Sequence, residues 1–355
     1  MDPAAAQSAP FVWGIVGTGA IAGLFAGDLH LIPGARLGAV HSRSLDKAQD
    51  FAARFGGATA YDDLDAFLAD PTIEAVYIAT PNNLHASQAL AAIAAGKPVL
   101  IEKPIALSSG DVEAIAKAAA ERGVFAMEAM WTRFLPAIVA LRQHLAAGRI
   151  GRIRRLRADL SYFHPQQPGS RFFEPALGGG AALDLGVYPL SLALHLLGQP
   201  ERVEGRWFSS ASGVDLRSEF ALHYPEATAE LSCGFDRDGA NLLLVEGSEG
   251  SLRIEAPFLK AQRLMHFAPG ALATPWRERN DPALLRKMLD RLPLPGVRRE
   301  TFPFPGNGLQ FQAQAVMTAI RTGATSCETM PLAESAAVLG MIETVQAQPA
   351  AAAAS

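Results

Sequence analysis

Residues 11–22 read FVWGIVGTGAIA, and this stretch is the strongest indication of the fold in the sequence. The apolar run FVWGIV is typical of a buried strand, and a helical pattern follows it. Between them, Gly17, Gly19 and Ala22 form a GxGxxA pattern. The first glycine permits a tight turn, the second lets a pyrophosphate approach the backbone, and the small alanine allows close packing of helix on strand. Because free amide groups at a helix start attract anions, the stretch predicts a dinucleotide site. The residues predicted to line it are Gly17, Thr18, Gly19, Ala20 and Ile21.

Short β-rich runs alternate with helical patterns through residues 11–130, which predicts a parallel sheet with helices on both faces. After about Met130 the rhythm changes, and most of the remaining patterns are strands that directly follow one another. Such runs favour an antiparallel or mixed sheet. We therefore predict a first domain over 11–130 and a second over 131–345, whose closing helices could pack back on the first. Disordered tails are predicted at 1–10 and 346–355.

The composition excludes several classes of protein. The chain has 355 residues, enough for about two domains of roughly 150 residues. It carries 31 basic and 35 acidic side chains and is 49% hydrophobic, which indicates a globular protein without a positive field for nucleic acid. Cys233 and Cys327 lie outside any metal-binding spacing, so we expect inert thiols and no metal site. The first ten residues lack the features of a signal peptide and no apolar run reaches membrane-spanning length, so we expect a cytoplasmic protein that binds no membrane.

Residues 275–306 interrupt the predicted strands with a stretch rich in proline and arginine. We interpret this stretch as a solvated excursion that contains one short amphipathic helix. Trp276 within it is a candidate for a lid or a pocket edge.

The end of the second predicted strand bears on the choice between NAD and NADP. NAD sites usually place a carboxylate there, about 20 residues beyond the glycines, to bind the ribose 2′-hydroxyl. Here the strand ends VHSRS, and Ser42 and Arg43 offer a hydroxyl and a guanidinium to a 2′-phosphate. We therefore predict NADP, with NAD the less favoured cofactor. The alternative is that Ser44 caps the next helix and Arg43 is merely solvated.

Polar residues cluster after the next two strands, at the sheet edge where open α/β sheets bind ligands. Thr80, Asn82 and His85 follow EAVYIA, while Glu102 and Lys103 follow PVLI. All five are candidate cofactor-binding residues. His85 lies in the first turn of a helix, which favours a structural or cofactor-edge role over that of a base. Lys103 is the better chemical candidate, because a partly buried cation can bind a carbonyl oxygen and depress the pKa of a neighbour.

A second chemical candidate is the stretch GGGAALDLGVY. Its Asp184 and Tyr188 are four residues apart, so on a helix they project from one face. A phenol has a pKa near 10 and transfers protons poorly at neutral pH, unless an ammonium such as Lys103 stabilises the phenolate. Tyr188 would then move a proton while a nicotinamide moves the hydride. From the residues alone, a buried helix with one hydrogen-bonded aspartate and a core tyrosine is an equally good interpretation.

Several motifs taken together resemble a known family. GTGAIA, TPNNLH, EKP and GGGAALDLGVY, in that order, resemble the glucose-fructose oxidoreductase, inositol dehydrogenase and MocA (Gfo/Idh/MocA) family over nearly the whole chain. MEAMWTRFLP, RFFEPALGGGAALDLGVYPL and MPLAESAAVLGMIETV resemble more closely its dimeric dihydrodiol dehydrogenases and their bacterial NADP-linked sugar dehydrogenase relatives. The resemblance implies an α/β Rossmann domain followed by an α+β domain with a large, open, mostly antiparallel sheet. It also implies a homodimer.

The same resemblance assigns roles to individual residues. Lys103 matches the catalytic lysine of the EKP motif, and Asp184 matches the aspartate that begins the catalytic helix. Many members of the family carry histidine at the position of Tyr188. The dihydrodiol dehydrogenase subgroup carries tyrosine there, as this chain does. Trp131 and Arg133 match positions that line the substrate pocket in that subgroup, so the resemblance implies that they contact substrate. The alternative is that both residues pack at the domain junction. Arg171, just before the catalytic helix, is a further candidate for substrate binding.

We therefore expect an NADP-dependent oxidoreductase that interconverts an alcohol and a carbonyl on a sugar, polyol or cyclic trans-diol. Its partner would be a small-molecule substrate. One rival is a non-catalytic NADP-binding sensor or scaffold, because fold alone never establishes activity. The intact Lys103, Asp184 and Tyr188 argue against it. A second rival is a lyase or glycosidase that retains its cofactor and acts by transient oxidation, as occurs in the wider family.

Overall fold

The computed structural model describes residues 9–167, 169–271 and 295–351, which form two compact units. The chain leaves the first unit after Trp131 and returns to it from Pro305 to Ala333, before ending in the second unit. The second domain predicted over 131–345 is therefore interrupted by residues of the first unit.

The first unit is built on a parallel sheet. Its strands are β1 (Phe11–Val16), β2 (Ala35–His41), β3 (Thr59–Tyr61), β4 (Ala75–Ile78), β5 (Val99–Ile101) and β6 (Ala126–Glu128). They are ordered β3-β2-β1-β4-β5-β6, and every neighbouring pair is parallel. This order confirms the predicted Rossmann sheet and places the carboxyl ends of β2, β1, β4 and β5 side by side at one edge.

The second unit is built on a mostly antiparallel sheet. Its strands are β7 (Ile153–Ser161), β8 (Arg202–Ser209), β9 (Asp215–His223), β10 (Thr228–Gly234), β11 (Leu243–Gly247), β12 (Gly250–Ile254), β13 (Arg263–Phe267) and β14 (Val297–Thr301). They are ordered β14-β13-β12-β11-β7-β10-β9-β8. Only the pairing of β7 with β10 is parallel within this described sheet. The predicted open, mostly antiparallel sheet is confirmed.

Nine α-helices accompany the sheets in the described part of the chain. They are α1 (Ala20–Leu29), α2 (Leu45–Arg54), α3 (Leu64–Ala69), α4 (His85–Ala94), α5 (Ser109–Arg122), α6 (Pro136–Ala146), α7 (Val187–Leu197), α8 (Leu309–Arg321) and α9 (Leu332–Gln346). Their starts follow from local sequence: the Ser44 hydroxyl accepts from the Lys47 amide before α2, and the Asp63 carboxylate accepts from the Asp65 amide before α3. Such caps satisfy amides that have no partner inside the helix.

Aromatic packing and one buried carboxylate hold the first unit together. Phe25 of α1 stacks on Tyr77 of β4 with ring centroids 3.9 Å apart, and Trp13 of β1 meets Phe25 edge-on. Asp28, also on α1, accepts hydrogen bonds from the amides of Asn307 and Leu309 at the start of α8. The buried Asp28 therefore caps a helix nearly 280 residues away in sequence, which explains why α8 belongs to the first unit.

The helical stretch Pro175–Leu197 is apolar and long enough, by length and composition, to cross a membrane. Most of it is buried inside the protein. Its α7 segment packs on β7 and β10 of the second sheet. That burial is the behaviour of a core helix that is hydrophobic on all sides.

Two sequence predictions about irregular segments need correction. Residues 297–301, which we placed in a solvated excursion, form the edge strand β14, paired antiparallel with β13. Gln346 ends α9 rather than beginning a disordered tail, and beyond it the Gln348 carbonyl accepts from the indole of Trp207. Pairing with β13 orders the first segment, and hydrogen bonds with Trp207 hold the second, although the local composition of both is typical of loops. Trp276 lies outside the described residues.

Candidate active site

The turn between β1 and α1 has the shape that a phosphate cradle requires. Gly17 has a φ of +107°, and a Cβ there would lie 2.6 Å from the Ala79 carbonyl oxygen, so glycine is required. At Gly19 no described atom lies within 4 Å of a Cβ position, and among the described residues no side chain caps α1. The first amides of α1 are therefore directed into open space. These features fit a dinucleotide pyrophosphate, with Thr18, Ala20 and Ile21 supplying the surrounding backbone.

Ser42 and Arg43 follow β2, beside the cradle at the same edge of the sheet. The Ser42 amide donates to the Tyr61 carbonyl at 3.1 Å, which fixes the backbone there. Ser42 is half-buried and the Arg43 side chain is exposed. Ser44 caps α2, as the alternative interpretation expected. That cap leaves Arg43 able to meet an anion at the sheet edge.

His85 ties together the segments that follow β4 and β5. Its Nδ1 lies 2.8 Å from the Pro104 carbonyl oxygen and its Nε2 lies 2.8 Å from the Thr80 carbonyl oxygen. The ring is 1% exposed, and burial lowers the pKa of His85. Because both nitrogens face backbone carbonyls, His85 joins these two segments, and its contact with the cofactor stays a prediction. Thr80 and Asn82 remain half-buried at the sheet edge.

Glu102 and Lys103, at the end of β5, have different environments. The Glu102 carboxyl is buried, where it accepts hydrogen bonds from the Tyr77 hydroxyl and from the Lys103 amide. Burial raises the pKa of Glu102 to about 7, although Tyr77 and the Lys103 charge oppose the shift. The Glu102 side chain therefore fixes the backbone of Lys103, and a contact of Glu102 with the cofactor stays a prediction. Lys103 itself is half-buried at the same sheet edge as the cradle.

In the second unit, Asp184 and Tyr188 lie where a π-helical turn, Ala182–Gly186, runs into α7. Such turns are rare and frequently occur at functional sites. The Asp184 side chain is 14% exposed, and Arg171 approaches its carboxylate to 3.8 Å. Tyr188 is 4% exposed. The structure thus brings Arg171 to the aspartate of the predicted catalytic helix.

Asp215 is a positioning residue that the sequence did not indicate. This buried residue begins β9, and its carboxylate accepts hydrogen bonds from the Ala182 amide at 2.7 Å and the Ser218 hydroxyl at 2.8 Å. Gln346 of α9 donates to the other carboxylate oxygen at 3.1 Å. Asp215 therefore fixes the first residue of the π-helical turn. No local motif could reveal it, because the Ala182 amide and the Gln346 side chain come from two distant segments.

Replacing Asp215 by Ala should lower the free energy of unfolding by about 2 kcal/mol, since the fixed Ala182 amide loses its buried acceptor. Asp215→Asn should cost less, because an amide oxygen can still accept from Ala182. Urea denaturation followed by circular dichroism checks both values. Equal losses in the two variants would contradict this role.

The pH dependence provides an independent check on Asp215. Burial raises its pKa from 3.8 to about 6, so between these values the native carboxyl is protonated while the unfolded one is ionised. The group's contribution to stability therefore falls as pH rises through this window and stays constant above it. Asp215→Asn removes the titrating group and should flatten the unfolding free energy over the same window.

Comparison with known proteins adds independent information. A model of an oxidoreductase family with an NAD-binding Rossmann fold matches residues 11–130, and the GFO/IDH/MocA C-terminal domain model matches residues 138–253. The chain belongs to the GFO/IDH/MocA oxidoreductase family. Trans-1,2-dihydrobenzene-1,2-diol dehydrogenase of Bos taurus is 30% identical over 344 residues, which cover 94% of this chain and 95% of that protein.

Two further similar proteins carry different cofactors in their names. The NADP(+)-linked scyllo-inositol 2-dehydrogenase IolU of Bacillus subtilis is 35% identical over 247 residues, 68% of this chain and 75% of that protein. A levoglucosan dehydrogenase, solved with NADH and levoglucosan, superposes with a TM-score of 0.81 at 22% identity, covering 95% of this chain and 96% of that one. The predicted family and the predicted oxidoreductase class are confirmed, and the chain has an NAD(P)-binding Rossmann domain.

Arg133, a predicted substrate-pocket residue, is bound within the second unit of this GFO/IDH/MocA member. The Arg133 side chain is fully buried. It donates to the Ser191 hydroxyl at 2.8 Å and carbonyl at 2.7 Å, and to the Glu334 carboxylate at 2.6 Å. These bonds fix the guanidinium against α7 and the start of α9, and a contact of Arg133 with substrate stays a prediction. Trp131 is half-buried, and its substrate contact stays a prediction.

Proposed function

We propose that this protein is an NADP-dependent dehydrogenase or reductase that interconverts an alcohol and a carbonyl on a sugar, polyol or cyclic trans-diol. The observation that carries the proposal is the start of the catalytic helix, where a π-helical turn that contains Asp184 and is fixed by Asp215 runs directly into the helix that carries Tyr188. Relatives named for a dihydrodiol, an inositol and levoglucosan support this range of substrates. All three carry hydroxyl groups on a ring.

The proposed mechanism divides the reaction between two groups of residues. When bound, the nicotinamide supplies the hydride chemistry. In the oxidative direction Tyr188 accepts the proton of the substrate hydroxyl, and in the reductive direction it returns that proton to the carbonyl oxygen. The Lys103 ammonium stabilises negative charge on the substrate oxygen and on the phenolate. Asp184, held by Arg171, orients the substrate and the tyrosine.

A substrate screen tests the proposal. Aldoses, polyols, dihydrodiols and dicarbonyls would be incubated with NADP or NAD, or with their reduced forms, while the absorbance of reduced nicotinamide is followed. We expect turnover of at least one hydroxyl compound with NADP. Tightly retained cofactor without net NADPH formation would instead indicate transient oxidation. Cofactor binding without any turnover would indicate a sensor or scaffold.

Arg43 should set the preference for NADP. Arg43→Asp should weaken NADP binding roughly 10- to 100-fold, the value of a lost charge-assisted hydrogen bond, and weaken NAD binding much less. Arg36→Asp is a matched control, because exposed Arg36 lies near the opposite end of the same strand. Titration of protein fluorescence with each nucleotide measures both constants. Equal losses of affinity for NAD and NADP would show that Arg43 is merely solvated and does not bind the 2′-phosphate.

We also propose that the enzyme works as a homodimer in the cytoplasm. Its resemblance to the dimeric dihydrodiol dehydrogenases supports the dimer, and its free cysteines, Cys233 and Cys327, suit a reducing compartment. Burial raises the pKa of the Cys233 thiol, as expected of an inert cysteine. Sedimentation velocity on the full chain measures the oligomeric state, and a monomer would contradict the first part of the proposal.

A further inference from the structure

Two histidines and a glutamate from three elements of the second unit meet at one edge of its sheet. His144 lies in the last turn of α6, His266 lies on β13, and Glu300 lies on the edge strand β14. Nε2 of His144 is 3.0 Å from Glu300 Oε1, and Nε2 of His266 is 2.7 Å from the same oxygen. The two imidazole rings are perpendicular, with centroids 4.6 Å apart. We call these three residues the His–Glu–His cluster.

The spacing of the cluster matches the coordination sphere of a small metal ion. One potential ligand atom from each residue lies within 4.8 Å of the other two. Zn²⁺ binds histidine nitrogen and carboxylate oxygen at about 2.1 Å in tetrahedral geometry, which places ligand atoms ~3.4 Å apart. Both histidine–glutamate distances, 3.0 Å and 2.7 Å, are shorter than this spacing, so the ligand atoms would move apart as an ion entered. Small rotations of the side chains would complete the site.

Hydrogen bonding accounts for only one arm of the cluster, in which His144 Nε2 lies 3.2 Å from Glu300 Oε2. His266 Nε2 is buried, and among the described residues it has no hydrogen-bond partner, because its short contact with Glu300 lacks the required alignment. A neutral imidazole with an unused ring nitrogen is the form that binds metal ions.

We propose that His144, His266 and Glu300 bind a divalent transition-metal ion of the Zn²⁺ type. The ion would link α6 to the outer two strands of the sheet. Imidazole and carboxylate ligands suit Zn²⁺ and its neighbours, and three protein ligands leave a fourth position for water. Arg298, directly opposite His266 on β14, places a positive charge nearby and weakens the site. We therefore expect micromolar affinity, below that of closed four-ligand sites.

No metal site was predicted from the sequence, because such sites are recognisable there only when Cys and His recur at short, fixed spacings. In this cluster the ligands are separated by 122 and 34 positions along the chain, from 144 to 266 and from 266 to 300. Only the pairing of β13 with β14 and the packing of α6 on β13 bring them together.

Titration of the untagged full chain with Zn²⁺, followed by calorimetry, tests the proposal. The wild-type protein should bind one equivalent more tightly than the His266→Gln and Glu300→Gln variants do. Loss of one ligand should weaken binding by at least roughly 10- to 100-fold, the effect seen even for changes next to metal ligands. Co²⁺ would report the same site by its visible d–d absorption. Zn²⁺ should also raise the melting temperature of the wild type more than that of either variant.

His223→Gln is the matched control. Nε2 of His223 lies 2.9 Å from Glu204 on the opposite edge of the same sheet, so that site is a histidine–glutamate pair without a second imidazole. This variant should bind Zn²⁺ like the wild type. Equal Zn²⁺ affinity in wild type and Glu300→Gln, or loss of the bound equivalent in His223→Gln, would overturn the proposal and leave the cluster as an ion-pair network. None of these variants changes a proposed catalytic residue, so the outcome is independent of the proposed function.

Discussion

Tyr188→Phe should lower kcat for oxidation of the substrate hydroxyl by roughly 10²- to 10⁴-fold, the usual contribution of a positioned proton-transfer group. Phenylalanine fills the same space as the 4%-exposed tyrosine, so the helix and its packing on the second sheet are retained. Only the phenolic oxygen, which accepts the proton as the phenolate, is lost. Cofactor affinity should stay unchanged, because Gly17 and Gly19 of the cradle belong to the first unit. Steady-state kinetics and nucleotide titration measure the two quantities.

Tyr224→Phe is the control for this prediction. Burial raises the pKa of Tyr224 well above its usual value, and among the described residues its hydroxyl has no hydrogen-bond partner. Removal of that hydroxyl should leave kcat unchanged. If Tyr188→Phe turns over the true substrate at a near-normal rate, the alternative interpretation of Tyr188 as a core residue holds.

Lys103→Met should lower kcat by roughly 10²- to 10³-fold, the loss that follows removal of one group stabilising charge in a transition state. Methionine keeps the length and apolar stem of the side chain but removes its charge. Without that charge the pKa of the proton acceptor rises, so the limb of the pH profile that reports the acceptor should move to higher pH. Measurement of kcat against pH for the variant and the wild type tests the shift.

Lys117→Met is the matched control for the loss of charge. Lys117 lies on α5 of the first unit, and its exposed side chain pairs loosely with Glu121 at 3.9 Å, an interaction of little energetic value. The kcat and pH profile of this variant should match those of the wild type. If Lys103 and Tyr188 act as a unit, the double variant should lose about as much activity as the more impaired single variant. A fully additive double variant would assign the two residues to separate steps.

The position of a residue after a strand could be predicted from the sequence, but the direction of its side chain could not. Lys103 and Glu102 are neighbours after β5, yet Lys103 stays half-buried at the sheet edge while Glu102 is buried under Tyr77. Successive side chains of an extended chain project to opposite faces. The environment of each face depends on what packs there. For Glu102 that environment is the aromatic interior formed by Phe25 and Tyr77.

Arg133 shows the same limit for a charged residue. Arginine near a predicted pocket suggests ligand binding, since buried arginine is rare unless it is paired. Its partners, Ser191 and Glu334, lie 58 and 201 positions away, and no local pattern connects them. Only the meeting of α7 with the start of α9 supplies the acceptors that make its burial tolerable.

The order of strands and helices, the glycine turn, and the lysine and tyrosine of the proposed reaction were determined by the sequence itself. These features depend on hydrophobic periodicity, on backbone angles that only glycine adopts easily, and on motifs within single segments. Only the folded structure shows which groups His85, Glu102 and Arg133 bind, that Asp215 holds the start of the catalytic helix, and that a His–Glu–His cluster exists. Burial and hydrogen-bond partners arise from contacts between distant segments. Those contacts exist only after the chain has folded.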